Sequence, residues 1–214
     1  MSTRNIASIR RDYTLKKLDE QEIDRDPFVQ FGLWFDEVLN AKVLEPNAMI
    51  LATSTREGKP SARVVLLKQF DNRGFSFFTN YHSRKALELE KNPYASLVFF
   101  WPELERQVRI EGYVSRVSET ESDNYFDSRP EGSKIAALVS PQSQVIPNRN
   151  HIESLQVDYH HKFSEKPINR PSNWGGYLLR PSLFEFWQGR TNRLHDRIQY
   201  RFVNGEWIIE RLAP

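Results

Sequence analysis

"AMILATSTREGKPSARVVLLKQF", from Ala48 to Phe70, is the stretch on which the fold turns. "AMILATS" and "SARVVLLKQF" are rich in β-branched and aliphatic residues, and "TREGKP" between them offers Gly58 for the positive φ of a hairpin turn. The pattern before Ala48 is different. Asp26-Pro27 reads as an N-cap followed by proline at the first helical position. Phe28, Phe31, Phe35 and Val38 then recur at helical spacing, so "PFVQFGLWFDEVLNAKV" is expected to form an amphipathic helix whose aromatic stripe is core. After Phe70 the strand signals continue. "GFSFFTN" follows the turn "DNRG", and "YASLVFFW", "RQVRIEGYVSRV", "GGYLLRP", "LFEFWQ", "LHDRIQYRF" and "EWIIERL" come later. Helical patterns interrupt them at "SRKALELEKN", "SETESDNYFDS" and "NHIESLQVDYHHKF", and "SEKPINRPSN" is a proline-rich connector. The expected fold is mainly β with peripheral helices (α+β), an antiparallel barrel. Residues 1–25 form a polar, charged arm, and 26–214 read as a single domain.

Composition narrows the function. With 214 residues, 39% hydrophobic and 27% charged, the chain can bury a substantial core. Fourteen Phe, eight Tyr and five Trp suit strands and flat ligand pockets alike. The net charge of +2 leaves no bulk attraction to nucleic acid. The absence of cysteine removes thiolate chemistry and cysteine-ligated metals. His160-His161 stands alone among candidate metal ligands, so no metal site is expected. The N-terminus lacks the apolar core of a signal peptide, and "LVFFW" (Leu97–Trp101) is too short to span a bilayer. A cytoplasmic protein with neither nucleic-acid nor membrane partners is expected.

Cations sit where a ligand would explain them. In "TNRLHDR", Arg193, His195 and Arg197 fall at every second position; on an extended strand they would line one wall, with Leu194 and Ile198 facing away. Like charges side by side need a counter-charge, solvent or an anionic ligand. Ser83 is a suitable N-cap, which puts Arg84 and Lys85 in the first helical turn against the macrodipole; a bound phosphate there would resolve the conflict. In "ARVVLLKQF", Arg63 and Lys68 are five apart on a strand expected to be buried on both sides, so they would meet anions on two surfaces. In "YFDSRPEGSK", Tyr125 and Arg129 share a helical face and Ser133 can cap the next helix, which together make a phosphate pocket. Separate sets on a nearly neutral chain favour small phosphorylated ligands over a polyanion. Neither a GxGxxG nor a GxxxxGK[ST] loop, an HExxH motif or a serine-hydrolase elbow is present, so the chemistry should belong to a cofactor.

At this point several long motifs agree with one known family. "FEFWQGRTNRLHDR" and the terminal "ERLAP", with "RVVLLK", "FFTNYHSRKA", "ERQVRIEG", "YFDSRP", "VSPQSQVI" and "NWGGY" in the same order, resemble the pyridoxine/pyridoxamine 5′-phosphate oxidases from about Ser8 onward. The resemblance implies an FMN-binding split β-barrel, a homodimer, and oxidation of pyridoxine 5′-phosphate and pyridoxamine 5′-phosphate to pyridoxal 5′-phosphate. O2 would be the electron acceptor and H2O2 the second product, in vitamin B6 biosynthesis and salvage.

The same resemblance assigns roles by motif. FMN would meet Arg63, Val64, Val65, Leu66, Leu67, Lys68, Phe78, Thr79, Arg84, Lys85, Gln107, Gln142, Ser143, Trp187 and Arg197. Lys68, Tyr125, Arg129 and Ser133 would hold the substrate phosphate. Arg193 and His195 would be catalytic, lying with Leu194 against the substrate ring, and Arg10, Arg11, Asp12 and Tyr13 would cover it as part of a mobile lid. The chain departs from the family pattern at Lys134 and Ala136, where glutamine and glycine are common. Two competing readings are a non-catalytic relative that carries FMN or pyridoxal phosphate, against which Arg193 and His195 both argue, and a nucleic-acid-binding module, against which the charge argues.

Overall fold

The computed structural model describes residues 12–164 and 166–214. Arg10 and Arg11, placed by sequence in the arm, lie outside the described residues. Helix α1 spans Pro27–Asn40, followed by strands β1 (Ala48–Ser54), β2 (Pro60–Leu66), β3 (Gln69–Asp71) and β4 (Gly74–Asn80). Helix α2 (Arg84–Lys91) leads to β5 (Tyr94–Trp101) and β6 (Arg106–Arg116), then α3 (Glu119–Asp127), α4 (Glu131–Val139) and α5 (Arg149–Lys162). Strands β7 (Trp174–Gln188), β8 (Asp196–Val203) and β9 (Glu206–Arg211) close the chain. The strand order is β2-β1-β5-β6-β7-β4-β3, with β8 paired to β7 and β9 to β8. Strand thus dominates, with helices between strands, as the sequence patterns imply. No helix among the described residues is long and apolar enough to cross a membrane.

Local chemistry explains most boundaries. The Asp26 carboxylate accepts from the Phe28 N–H at 2.8 Å and caps α1, with Pro27 at its first position. Ser118 and Glu121 form a reciprocal capping box at the start of α3. Gly58 and Gly74 take the positive φ values of 81° and 144° that their turns require.

Three segments differ from their sequence patterns. "SARVVLLKQF" is two strands, because the chain breaks at Leu67-Lys68, where Leu67 is buried and the Lys68 N–H turns to the Ser76 carbonyl. Nor is β2 buried on both sides: it ends the strand order, and Ala62, Val64 and Leu66 are exposed. "GGYLLRP" and "LFEFWQ" are one 15-residue strand running through Pro181. Its backbone there passes so close to Gly112 that a Cβ at Gly112 would lie 2.0 Å from the Arg180 carbonyl oxygen.

The chain divides into two compact units that interleave along the sequence. The first comprises Met1–Ala48, Leu97–Ile110 and Ser182–Pro214; the second comprises Met49–Ser96 and Glu111–Pro181. In the first unit, Phe31, Trp34 and Val38 of α1 are buried, and the rings of Phe31 and Phe99 meet at 5.1 Å, as do those of Trp34 and Phe186. Each fully buried ring contributes on the order of 2–3 kcal/mol. The chain from Thr14 to Asp24 is tied to this unit. Leu18 is buried and donates its N–H to Asp196, Arg211 pairs with Glu20 and donates to the Leu18 carbonyl, and the Tyr200 hydroxyl donates to the Asp24 carbonyl. In the second unit, the core includes Met49, Leu51, Phe75, Phe77, Leu89 and Leu179, with Phe77 stacked on Tyr177.

Candidate functional site

The second unit carries two cationic clusters. The first gathers around α2. Arg63 is held by the Leu51 carbonyl at 3.0 Å, by Thr53 Oγ1 at 2.6 Å and by Ser61 Oγ. Both hydroxyls donate hydrogen bonds to Glu88, which also accepts from Arg84 Nε at 2.9 Å. Burial raises the Glu88 pKa, but these donors outweigh it and bring it down to about 2. Lys85 differs from the arginines. It is 9% exposed, and its Nζ meets Thr79 Oγ1 and Gln142 Oε1 at 3.0 Å and Ser83 Oγ at 3.3 Å, three neutral oxygens. Burial, reinforced by the nearby Arg63 charge, pushes the ammonium down to about 8. A cavity of about 470 Å³ opens beside this cluster, lined by Thr55, Arg56, His82, Arg84, Lys91 and Ser143 among others.

Aromatic rings surround the second cluster. Phe78 stacks on Tyr125 at 3.9 Å between centroids, and both rings lie nearly parallel to Trp174. The Arg129 guanidinium sits 4.6 Å from the Trp174 ring centroid, and its buried Nη1 has no hydrogen-bond partner. Burial lowers its pKa against a smaller opposing pull from Tyr125, and no carboxylate among the described residues offsets the charge. Phe78 and Thr79 are successive residues of β4 and point to opposite faces, so one strand contributes to both clusters. Arg129 lies beyond the end of α3, and α4 starts at Glu131. Ser133 therefore sits inside the first turn of α4 rather than capping it, because Pro130 takes the cap position. Lys134 is half-buried and Ala136 exposed on the same helix. Lys68 is exposed just after β2, and Val65 is half-buried within it.

The first unit holds the other sequence-predicted residues. Arg193 to Arg197 is not a continuous strand. Thr191–Arg193 forms a short 3-10 turn with Asn192 and Arg193 at φ 54° and 61°, and β8 begins only at Asp196. Arg193, His195 and Arg197 therefore do not share a face by strand parity, and Leu194 is 68% exposed while Ile198 is fully buried. Asn192 explains the break, since its side chain tolerates the left-handed region. His195 Nδ1 accepts the Arg190 N–H at 3.1 Å, which leaves Nε2 as the protonated nitrogen. Burial lowers the His195 pKa, and the neighbouring Arg193 charge lowers it further, against the opposing pull of Asp196. Neutral His195 is then a hydrogen-bond donor through Nε2 at physiological pH.

Around His195 the first unit packs Trp187, 4.6 Å away between ring centroids, and Tyr13, edge-on to both rings at 5.7 Å. Arg197 donates to Glu185 at 2.7 Å and to the Ala213 carbonyl at 2.8 Å. Glu185, 3% exposed, also pairs with Arg109. Gln107 is half-buried on β6, Asp12 is exposed before Tyr13, and Gln142 and Ser143 follow α4, Ser143 at φ 70°. The sequence reading missed Glu88, Glu185 and Trp174. Glu88 had a local signal in its spacing of four from Arg84, whereas the hydroxyls that complete its shell come from β1 and β2.

Comparison with known proteins agrees with this arrangement. The family model described as pyridoxamine 5′-phosphate oxidase matches residues 35–156, and the pyridoxine 5′-phosphate oxidase C-terminal dimerisation region matches 174–214. A protein of Nostoc punctiforme named pyridoxine/pyridoxamine 5′-phosphate oxidase is 57% identical over 212 residues, covering 99% of each chain. One of the same name from Cupriavidus necator is 54% identical, covering 98% of this chain and 99% of its own. Among solved structures, PhzG from Burkholderia lata, in complex with tetrahydrophenazine-1-carboxylic acid, superposes with a TM-score of 0.87 at 29% identity, over 91% of this chain and 95% of its own. The fold is therefore the split barrel of these neighbours. The chain belongs to the pyridoxine/pyridoxamine 5′-phosphate oxidase family, a family of oxidoreductases.

Proposed function

We propose that the protein oxidises pyridoxine 5′-phosphate and pyridoxamine 5′-phosphate to pyridoxal 5′-phosphate, with FMN as cofactor, O2 as electron acceptor and H2O2 as product. The observation that carries this reading is a pair of cations without carboxylate partners among the described residues, the buried Lys85 among neutral oxygens and the half-buried Arg129 with a buried Nη1 that no hydrogen bond meets. A buried charge of this kind is costly unless an anion meets it, and the reaction brings two phosphates, one on the flavin and one on the substrate. The donor set fits FMN: Arg63, Arg84 and Lys85 offer charge-assisted bonds to its phosphate, and Thr79, Gln142 and Ser143 add neutral ones. When bound, FMN supplies the two-electron acceptor that the protein itself lacks.

The remaining roles belong to side chains. Lys68, Tyr125, Arg129 and Ser133 hold the substrate phosphate, a remote handle whose binding energy fixes the position of the reacting carbon. Phe78 and Trp187 supply flat apolar surface, and Arg193 covers an aromatic ring by cation–π contact. His195 donates through Nε2 and orients the group on that carbon. Arg197, Gln107 and the β2 backbone from Arg63 to Lys68 line the flavin. Asp12 and Tyr13 cover the substrate, and residues 1–25 act as an arm beside a single oxidase domain, 26–214. The match to a dimerisation region supports a homodimer. A cytoplasmic setting belongs to the same proposal.

Anaerobic titration of the FMN-loaded protein with pyridoxine 5′-phosphate tests the reading. The flavin absorbance should bleach and return on admission of air, with aldehyde formed. Flavin that stays oxidised with both the alcohol and the amine substrate would leave only a binding protein.

A further inference from the structure

Glu105 occupies a conformation and a place that a glutamate rarely takes. It follows the short 3-10 turn Pro102–Leu104 at φ 56°, ψ 39°, a left-handed conformation disfavoured for a residue with a Cβ, and it is 2% exposed. Both features oppose folding unless the side chain has a specific role. Its Oε2 accepts two successive backbone N–H groups of the arm, from Thr14 at 2.8 Å and Leu15 at 3.0 Å. Its own carbonyl accepts the Gly189 N–H at 2.7 Å, fixing the segment that leads out of β7. Tyr13, next to the clasped pair, is thereby set edge-on against Trp187 and His195. Gly189 completes the seat: a Cβ there would lie 2.6 Å from Tyr13 Cγ and 3.1 Å from Glu105 Cβ.

We infer that Glu105 is a positioning residue: its carboxylate clasps the arm at Thr14 and Leu15 and so places Tyr13 over Trp187 and His195, a role that presupposes the oxidase reaction proposed above. Glu105 touches neither substrate nor cofactor in this role. It acts through Tyr13. The second tether, from Leu18 and Glu20 to Asp196 and Arg211, holds the next part of the arm but leaves the angle of Tyr13 to Glu105.

The test compares E105A, E105Q, Y13A and the double variant E105A/Y13A as FMN-loaded proteins. E105A should raise KM for pyridoxine 5′-phosphate by roughly tenfold or more, tenfold being the loss expected from even one hydrogen bond to a charged acceptor. Y13A should act similarly, and the double variant should be no worse than either single one, because both remove the same contact. E105Q keeps an oxygen that can accept both N–H groups and should recover most of the affinity. Tryptic cleavage after Lys16 and Lys17, which needs no turnover, should be faster in E105A than in wild type or E105Q. Effects that multiply in the double variant would overturn the assignment. So would an E105A protein with a lowered melting temperature but unchanged KM and arm cleavage. Should E105A fail to fold, G189A, which displaces Tyr13 and spares the carboxylate, must raise KM or the assignment falls. A wild-type protein that never oxidises the substrate would sink the oxidase reading instead, and the cleavage rates alone would then decide the clasp.

Discussion

Burial lowers the Lys85 ammonium to about 8, with Arg63 adding to the effect, and its three neutral partners leave the charge without a carboxylate among the described residues. A phosphate at this point raises the pKa again, so binding takes up a proton wherever free Lys85 is partly neutral. The sign follows: FMN affinity holds steady between the second phosphate pKa of about 6 and about pH 8 and falls as pH rises above that, whereas riboflavin, lacking the phosphate, shows no such fall. Flavin fluorescence titration at several pH values checks both. K85M removes the charge, keeps the length, and should weaken FMN on the order of tenfold to a hundredfold with little effect on riboflavin. Lys85 was legible in the sequence because a cation in a first helical turn is locally out of place. Glu88 was not, because the donors that make it a buried anion, Thr53 and Ser61, arrive from distant strands. The alternation of Arg193, His195 and Arg197 misled for a local reason: Asn192 and Arg193 both enter left-handed space and cancel the strand period.

Among elements, α3 was readable only as a helical pattern, and its Ser118–Glu121 capping box came with the structure. Helix α1 was readable down to its cap, since Asp26 acts within its own first turn. Strand β7 was not, because Pro181 normally marks a strand end, and only the partner strand reveals why it does not here. Gly112 of β6 provides the space for the Arg180-Pro181 backbone. G112A would drive a methyl group into that carbonyl, a contact that backbone on both sides cannot relieve. It should destabilise the protein by on the order of 1–3 kcal/mol, read as a lower midpoint in denaturant with an unchanged slope. The split of "SARVVLLKQF" into β2 and β3 was similarly out of reach, because the Lys68 N–H leaves the strand for a partner on β4.

For the whole molecule, the mainly β class with helices between strands was legible from periodicity, and the family from motif order. The strand order was not, because long-range pairing leaves no local trace. That order gives the last strand a second duty. Arg211 ends β9, yet its guanidinium reaches Glu20, the Leu18 carbonyl and Asp196, while the Leu18 N–H ends on the same Asp196 carboxylate. The Leu18 amide and the β8–β9 ladder should therefore exchange their hydrogens on one clock, opening together rather than as a fraying terminus and a stable sheet. Hydrogen exchange read by mass spectrometry would show it as equal protection of the two peptides, lost together in R211A. A segment at one extreme of the sequence then has no stability of its own; it borrows the lifetime of the other.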